Sequence, residues 1–113
     1  MSVNIEVRQN ISVVQLSGTL TSANSNSLTA QFGAWLDRKN PARCVLDLSK
    51  LEILDSSGIG SIVTCLHKAK KLGGDLCLAA AQGRTATVLA IARLDLIFKT
   101  YPTVDAALAA LSA

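Results

Sequence analysis

Cys44-Val45-Leu46-Asp47-Leu48 is a short, almost unbroken apolar run bounded by Asn40-Pro41 before it and polar Ser49-Lys50 after it. A one-sided strand would alternate apolar with polar residues, and a buried helix would be longer. The run therefore reads as a central strand covered on both faces or nearly so. Such a strand needs helices around it, and the flanking sequence supplies them.

Before the run, Val3-Asn4-Ile5-Glu6-Val7 alternates strictly and Val13-Val14-Gln15-Leu16 follows after Gln9-Asn10, which predicts two strands joined by a tight turn. Ser17-Gly18 is expected to close this hairpin. Thr21-Ser22-Ala23-Asn24 offers N-cap residues to a helix carrying Leu28, Phe32, Trp35 and Leu36, with Asn40-Pro41 as its stop. After the run, an apolar connection through Leu51, Ile53 and Leu54 leads to a helix that begins near Ser57. Ile59, Ile62, Val63, Leu66 and Ala69 repeat at helical spacing there, Gly73-Gly74 terminates the helix, and Ser61, Thr64, His67, Lys68 and Lys71 are expected on its other face.

Leu76 to Ala79 predicts a further strand, Arg84 to Ala92 a helix, Ile97-Phe98 a short last strand, and Val104 to Leu111 a closing helix. Strands that alternate with helices imply parallel crossovers, so the expected fold is α/β: a mixed sheet of four to five strands, opened by a hairpin, with about four helices packed against it. The 113 residues suffice for one core and are too few for two, so residues 1–113 are taken as one domain.

With half of its residues apolar and 17% charged, the chain has a globular composition. No apolar run reaches the roughly 18 to 20 residues of a membrane span, and Met1 to Gln9 lacks a signal-peptide apolar region, so membrane insertion is not expected and the cytoplasm is the expected location. Cys44, Cys65 and Cys77 are widely spaced and flanked by apolar residues, which fits reduced core thiols rather than disulfides or a zinc site. The formal charge of +3 is mild, and the cluster at Lys68, Lys70 and Lys71 has no interleaved aromatic residue, so nucleic acid is not an expected partner.

Asp55-Ser56-Ser57-Gly58 stands where the central strand delivers the chain to its helix. Asp or Ser before an apolar-periodic run is an ordinary N-cap. One hydroxyl is enough for a cap, however, and glycine in a first turn costs up to roughly 1 kcal/mol, so the doubled serine and the nearby Gly58 and Gly60 exceed what capping requires. Free N–H groups and the positive dipole end would tolerate a phosphate on a serine there, which makes the turn a candidate switch. A serine hydrolase would need a base. The single histidine, His67, lies about ten residues along the same helix, roughly 15 Å away at 1.5 Å per residue, and the Gly-x-Ser-x-Gly pattern is missing because Leu54 precedes Asp55. No phosphate-loop pattern surrounds Gly73-Gly74, and Asp47 with Asp55 has no third ligand, Asp47 being read as a satisfied structural carboxylate. No catalytic residue, metal or cofactor is expected.

Leu46-Asp47-Leu48-Ser49, then Leu54-Asp55-Ser56-Ser57-Gly58-Ile59-Gly60, then Gly73-Gly74 before a strand, with Gly18-Thr19-Leu20 upstream, resembles the STAS domain of bacterial anti-sigma factor antagonists along essentially the whole chain. The Asp-Ser-Ser-Gly turn is the specific part. The resemblance implies a partner-switching protein whose unphosphorylated form binds a serine-protein kinase that is also the anti-sigma factor. It further implies phosphorylation of the first serine of the turn, Ser56 here, with ATP, and its reversal by a PP2C-like phosphatase. Asp55, Ser57, Gly58 and Gly60 match the surrounding motif, and with Thr21, Ser22, Ser61, Thr64 and Lys68 they make up the expected partner surface. Thr21 stands where members of the family often carry an acidic residue, which points to a different partner choice. The other reading keeps the fold without the switch, as a constitutive scaffold or transporter-associated interaction module.

Overall fold

The computed structural model describes residues 1–112. Seven residues of β1 (Ser2–Arg8) turn through Gln9 and Asn10, both at positive φ (55° and 63°), into β2 (Ile11–Leu20). Positive φ at both central residues matches the right-handed twist of a two-residue hairpin, so the tight turn expected at Gln9-Asn10 is present. Helix α1 (Ser25–Asp37) follows, then β3 (Arg43–Leu54), α2 (Ser56–Lys71), β4 (Asp75–Ala79), α3 (Gly83–Ile91), a 3-10 turn at Leu94–Leu96, β5 (Thr100–Tyr101) and α4 (Val104–Ser112). The strands stand in the order β1-β2-β3-β4-β5, with β1 antiparallel and the other pairs parallel. This is the expected mixed five-stranded sheet with four helices, and β3 is its centre.

Cys44, Val45, Leu46, Asp47 and Leu48 are all buried, and their alternation serves two cores. Cys44, Leu46 and Leu48 face a large cluster with Val14, Leu16, Leu76 and Leu78 from neighbouring strands, closed by Phe32 of α1, Ile62 and Leu66 of α2, and Leu89 of α3. Val45 faces the other way with Val13 and Cys77, under Ala107 and Leu108 of α4. One face thus carries three helices and the other a single short one. Asp47 points to that thinner side, where it accepts hydrogen bonds from Gln15 Nε2 at 3.1 Å and the Ser49 amide at 3.0 Å, which accounts for an 8% exposed carboxylate.

Three boundaries differ from the sequence expectation. Ser17-Gly18 does not close the hairpin: Gly18 takes φ +87° at a register irregularity and β2 continues to Leu20, because only glycine adopts that φ without a Cβ penalty. Leu51, Ile53 and Leu54 are not a connection but the last third of β3, paired in parallel with Gly18, Thr19 and Leu20. Ile97-Phe98 is not a strand. Phe98 donates its amide to the Leu94 carbonyl at 2.8 Å and buries its ring, and the last strand forms two residues later at Thr100–Tyr101.

Polar anchors fix the helices to the sheet. Ser12, fully buried, donates Oγ–H to the Pro41 carbonyl at 2.6 Å and accepts from Trp35 Nε1 at 2.9 Å, tying α1 to β2. Thr85, also buried, donates to the Leu51 carbonyl at 2.9 Å, tying α3 to β3. At the end of α2, the amide of Gly73 (φ +86°) donates to the Lys70 carbonyl and that of Gly74 to Ala69, a Schellman ending that confirms Gly73-Gly74 as the helix stop. No helix of the described residues is long and apolar enough to cross a membrane.

Candidate functional site

The extension of β3 to Leu54 positions the site. Because Leu54 pairs with Leu20, β2 and β3 end side by side at the C-terminal ends of the strands, and the Asp55 amide donates to the Leu20 carbonyl at 3.3 Å. Asp55 is the N-cap of α2 in extended conformation (φ −110°, ψ −177°), and its Oδ1 accepts from the Gly58 amide at 2.9 Å. Its other oxygen, Oδ2, accepts from the Ser22 amide at 3.2 Å. One carboxylate therefore caps the helix and holds the loop after β2 against it, bringing Thr21 and Ser22 beside the turn.

That loop is organised by Asn24, a residue expected only among the N-cap candidates of α1. Its Nδ2 donates to the Thr19 carbonyl at 2.8 Å and its Oδ1 accepts from the Thr21 amide at 3.0 Å, so its side chain reaches backward and makes no cap bond to α1. Thr21 is half-buried with its hydroxyl accepting from the Ala23 amide at 3.3 Å, while Ser22 is exposed. The signal for this loop lies in the chain, since Asn side chains readily bond nearby backbone. What the sequence does not contain is the partner strand.

Ser56 and Ser57 are the first two residues of α2, both exposed, and among the described residues neither hydroxyl has a hydrogen-bond partner. Asp55 already performs the capping, so both hydroxyls are free of a structural task. The first turn holds no acidic side chain while Lys68, Lys70 and Lys71 occupy the last, an arrangement that complements the helix dipole at the far end and leaves the near end positive apart from Asp55 itself.

Gly58 and Ser61 require correction. Gly58, expected in the partner surface, is buried beneath Leu20, and a Cβ there would lie 2.5 Å from the Leu20 carbonyl oxygen and 2.7 Å from Leu54 Cδ1, so this glycine makes room for the protein's own backbone. Ser61, expected on the open face, is 6% exposed and donates Oγ–H to the Gly58 carbonyl at 2.7 Å. The buried stripe of α2 runs through Gly58, Ser61, Ile62, Cys65, Leu66 and Ala69, and a serine that bonds back into its own helix fits it without an unpaired polar atom. Gly60 and Thr64 are exposed: a Cβ at Gly60 would meet nothing within 4 Å, and Thr64 donates to the Gly60 carbonyl at 3.0 Å. Lys68 lies further along, paired with Asp37 of α1 at 2.7 Å. Thr21, Ser22, Ser56, Ser57, Gly60 and Thr64 thus share one accessible region, with Lys68 and the exposed His67 at its far end.

The three thiols lie elsewhere, all inside the core. Burial pushes Cys44 and Cys65 up to about 12 and Cys77 up to about 11, so they remain protonated and poorly nucleophilic at neutral pH. Among the described residues no three His, Cys, Asp or Glu side chains gather as a metal site.

A mixed sheet with exposed serine hydroxyls at one strand-to-helix turn defines a small α/β domain. The STAS domain family profile matches residues 2–107, and the chain belongs to that family. It is 38% identical over 66 residues to a proposed anti-sigma factor antagonist of Thermotoga neapolitana, a match that spans 58% of each chain. To BtrV of Bordetella bronchiseptica, also a proposed anti-sigma factor antagonist, it is 30% identical over 95 residues, 84% of this chain and 81% of the relative. The crystal structure of an anti-sigma factor antagonist from Mycobacterium paratuberculosis superposes with a TM-score of 0.87 at 29% identity, covering 99% of this chain and 94% of that one.

Proposed function

We propose that the protein is an anti-sigma factor antagonist that works as a phosphorylation switch at Ser56. The observation that carries this is the division of labour at the turn: Asp55 caps α2 through the Gly58 amide, which leaves the Ser56 hydroxyl exposed and unpartnered at the helix start. In the unphosphorylated state the surface formed by Thr21, Ser22, Ser57, Gly60 and Thr64, with Lys68 at its end, docks a serine-protein kinase that is also the anti-sigma factor. Phosphate transfer from ATP to Ser56 Oγ releases that partner, and a PP2C-like phosphatase resets the switch. The relatives named as anti-sigma factor antagonists support the partner class.

The energetics are adequate without a conformational change. A phosphoserine adds about −1.5 to −2 charges. The free N–H groups and dipole of α2 offset part of its cost, against the repulsion of neighbouring Asp55, so the fold persists. A hundredfold loss of affinity needs only about 2.7 kcal/mol, which a dianion trapped in a desolvated interface supplies. The test combines the purified protein, ATP and the serine kinase encoded nearest to its gene, with phosphate located by mass spectrometry. Phosphate on Ser56, absent in Ser56→Ala, is the expected result. Wild type that gains none, or a variant that gains as much, overturns the assignment.

A further inference from the structure

Among the described residues the outer edge of β1 has no strand partner. Val3-Asn4-Ile5-Glu6-Val7 alternates without Pro, Gly or Lys, β1 pairs with β2 in unbroken register from Ser2–Ser17 to Arg8–Ile11, and its other side ends the sheet. Exposed edges are templates for strand addition, and chains that must stay single blunt them with proline, lysine, bulges or a covering loop. Among the described residues β1 has no proline, lysine, bulge or covering strand, and its charged side chains are Glu6 and Arg8, the latter held to Asp105 at 3.3 Å. The two charges, Glu6 and Arg8, differ in sign and stand on the opposite face from Val3, Ile5 and Val7. On the apolar face a trough of about 430 Å³ runs between Ile5 and α1, bordered by Ala30, Ala34, Trp35 and Arg38. Val7, 48% exposed, continues that apolar row into solvent.

We infer that this edge joins a second copy of the same chain, β1 against β1 in antiparallel register about a two-fold axis at Ile5. The strand is its own complement. That register pairs all seven residues, with Val3 opposite Val7 of the other copy, Ile5 opposite Ile5, Asn4 opposite Glu6 and Ser2 opposite Arg8, so apolar side chains share one face and no like charges stand directly opposite. Moving the axis one residue to Glu6 sets two carboxylates opposite each other, which disfavours the slipped form. The two sheets become one of ten strands, Val7 gains an apolar neighbour, and the troughs of the two copies meet across the axis. The α2 turn lies over β3, two strands inward, and stays open in the pair, so this association is independent of the switch at Ser56.

Sedimentation velocity over a rising concentration series reads the association, and cysteine pairing reads the register. Wild type is expected to shift from monomer to dimer. Val7→Lys, at a position already half open to solvent in the single chain, should weaken the dimer by an order of magnitude or more with an unchanged melting temperature, because it sets a lysine against the apolar row. An equimolar mixture of Asn4→Cys and Glu6→Cys proteins should form a disulfide-linked heterodimer on mild oxidation, and Glu6→Cys alone should not, since opposite residues lie about 4.5–5.5 Å apart and diagonal ones about 7–8 Å. A protein that stays monomeric throughout overturns the inference. So does a dimer indifferent to Val7→Lys, or equal cross-linking by Glu6→Cys alone.

Discussion

The Leu20 carbonyl oxygen and Gly58 approach so closely that a methyl group at Gly58 would sit 2.5 Å from that oxygen. Two segments 38 positions apart in the chain are in backbone contact at the start of α2. Gly58→Ala should therefore destabilise the protein by about 1–3 kcal/mol despite the better helix propensity of alanine. Gly60→Ala, with nothing within 4 Å of the added methyl, should stabilise it by about 0.5–1 kcal/mol. Urea denaturation of the two variants side by side measures the opposition, and equal effects of the same sign would contradict it.

Asp55→Ala removes the cap bond to Gly58 and the bond to the Ser22 amide together. A loss of about 1–2 kcal/mol is expected. Faster hydrogen exchange should appear at two separated places, the Gly58 and Ser22 amides. Exchange that changes only in α2 would show that the carboxylate does not hold the β2 loop.

Ser56→Ala and Ser56→Glu should each change stability by no more than about 0.5 kcal/mol, since the hydroxyl has no partner among the described residues. With the proposed switch at Ser56, Ser56→Glu should nevertheless weaken binding of the proposed anti-sigma factor partner. Calorimetric melting and titration of the same samples separate the two roles, and a collapsed melting temperature would make the serine structural instead.

Ser12→Ala would leave Trp35 Nε1 and the Pro41 carbonyl without their shared hydroxyl. The expected cost is about 1–3 kcal/mol, the range for stranding a buried polar group. Near-ultraviolet circular dichroism should register the Trp35 environment, and an unchanged spectrum with unchanged stability would remove the anchor role.

Alkaline pH should destabilise the fold through its thiols. Their ordinary value is 9.0, whereas burial holds Cys44 and Cys65 to about 12 and Cys77 to about 11. Between these values the unfolded chain has released protons that the folded chain keeps, so stability is complete below pH 9 and falls as pH rises toward 12. Cys65→Ala should flatten that fall in denaturation midpoints measured from pH 8 to 11, and an identical slope would assign it to other groups.

Much of the fold is legible because it rests on periodicity. The apolar run at Cys44 to Leu48 marks a central strand, alternation at Val3 to Val7 marks the hairpin, and Gly73-Gly74 marks a helix stop. Leu51 to Leu54 misreads as a connection because its pairing partner, Gly18 to Leu20, lies beyond an entire helix. Ile97-Phe98 misreads as a strand because two adjacent large apolar residues fit a buried turn equally well. Ser61 misreads as exposed because its side chain is polar, although it stands three residues from Gly58 and four from Cys65 on the buried stripe.

At the site itself, the Asp-Ser-Ser-Gly sequence already specifies an N-cap with spare hydroxyls, a local matter of which side-chain oxygens can reach which amides. Only the folded chain decides that Gly58 is a contact and Gly60 an opening. Only the folded chain, likewise, lets Asp55 hold the Ser22 amide and so ties the loop after β2 to the start of α2. Those outcomes depend on β2 and β3 ending side by side. Long-range strand register sets that, and no local preference of the intervening residues encodes it.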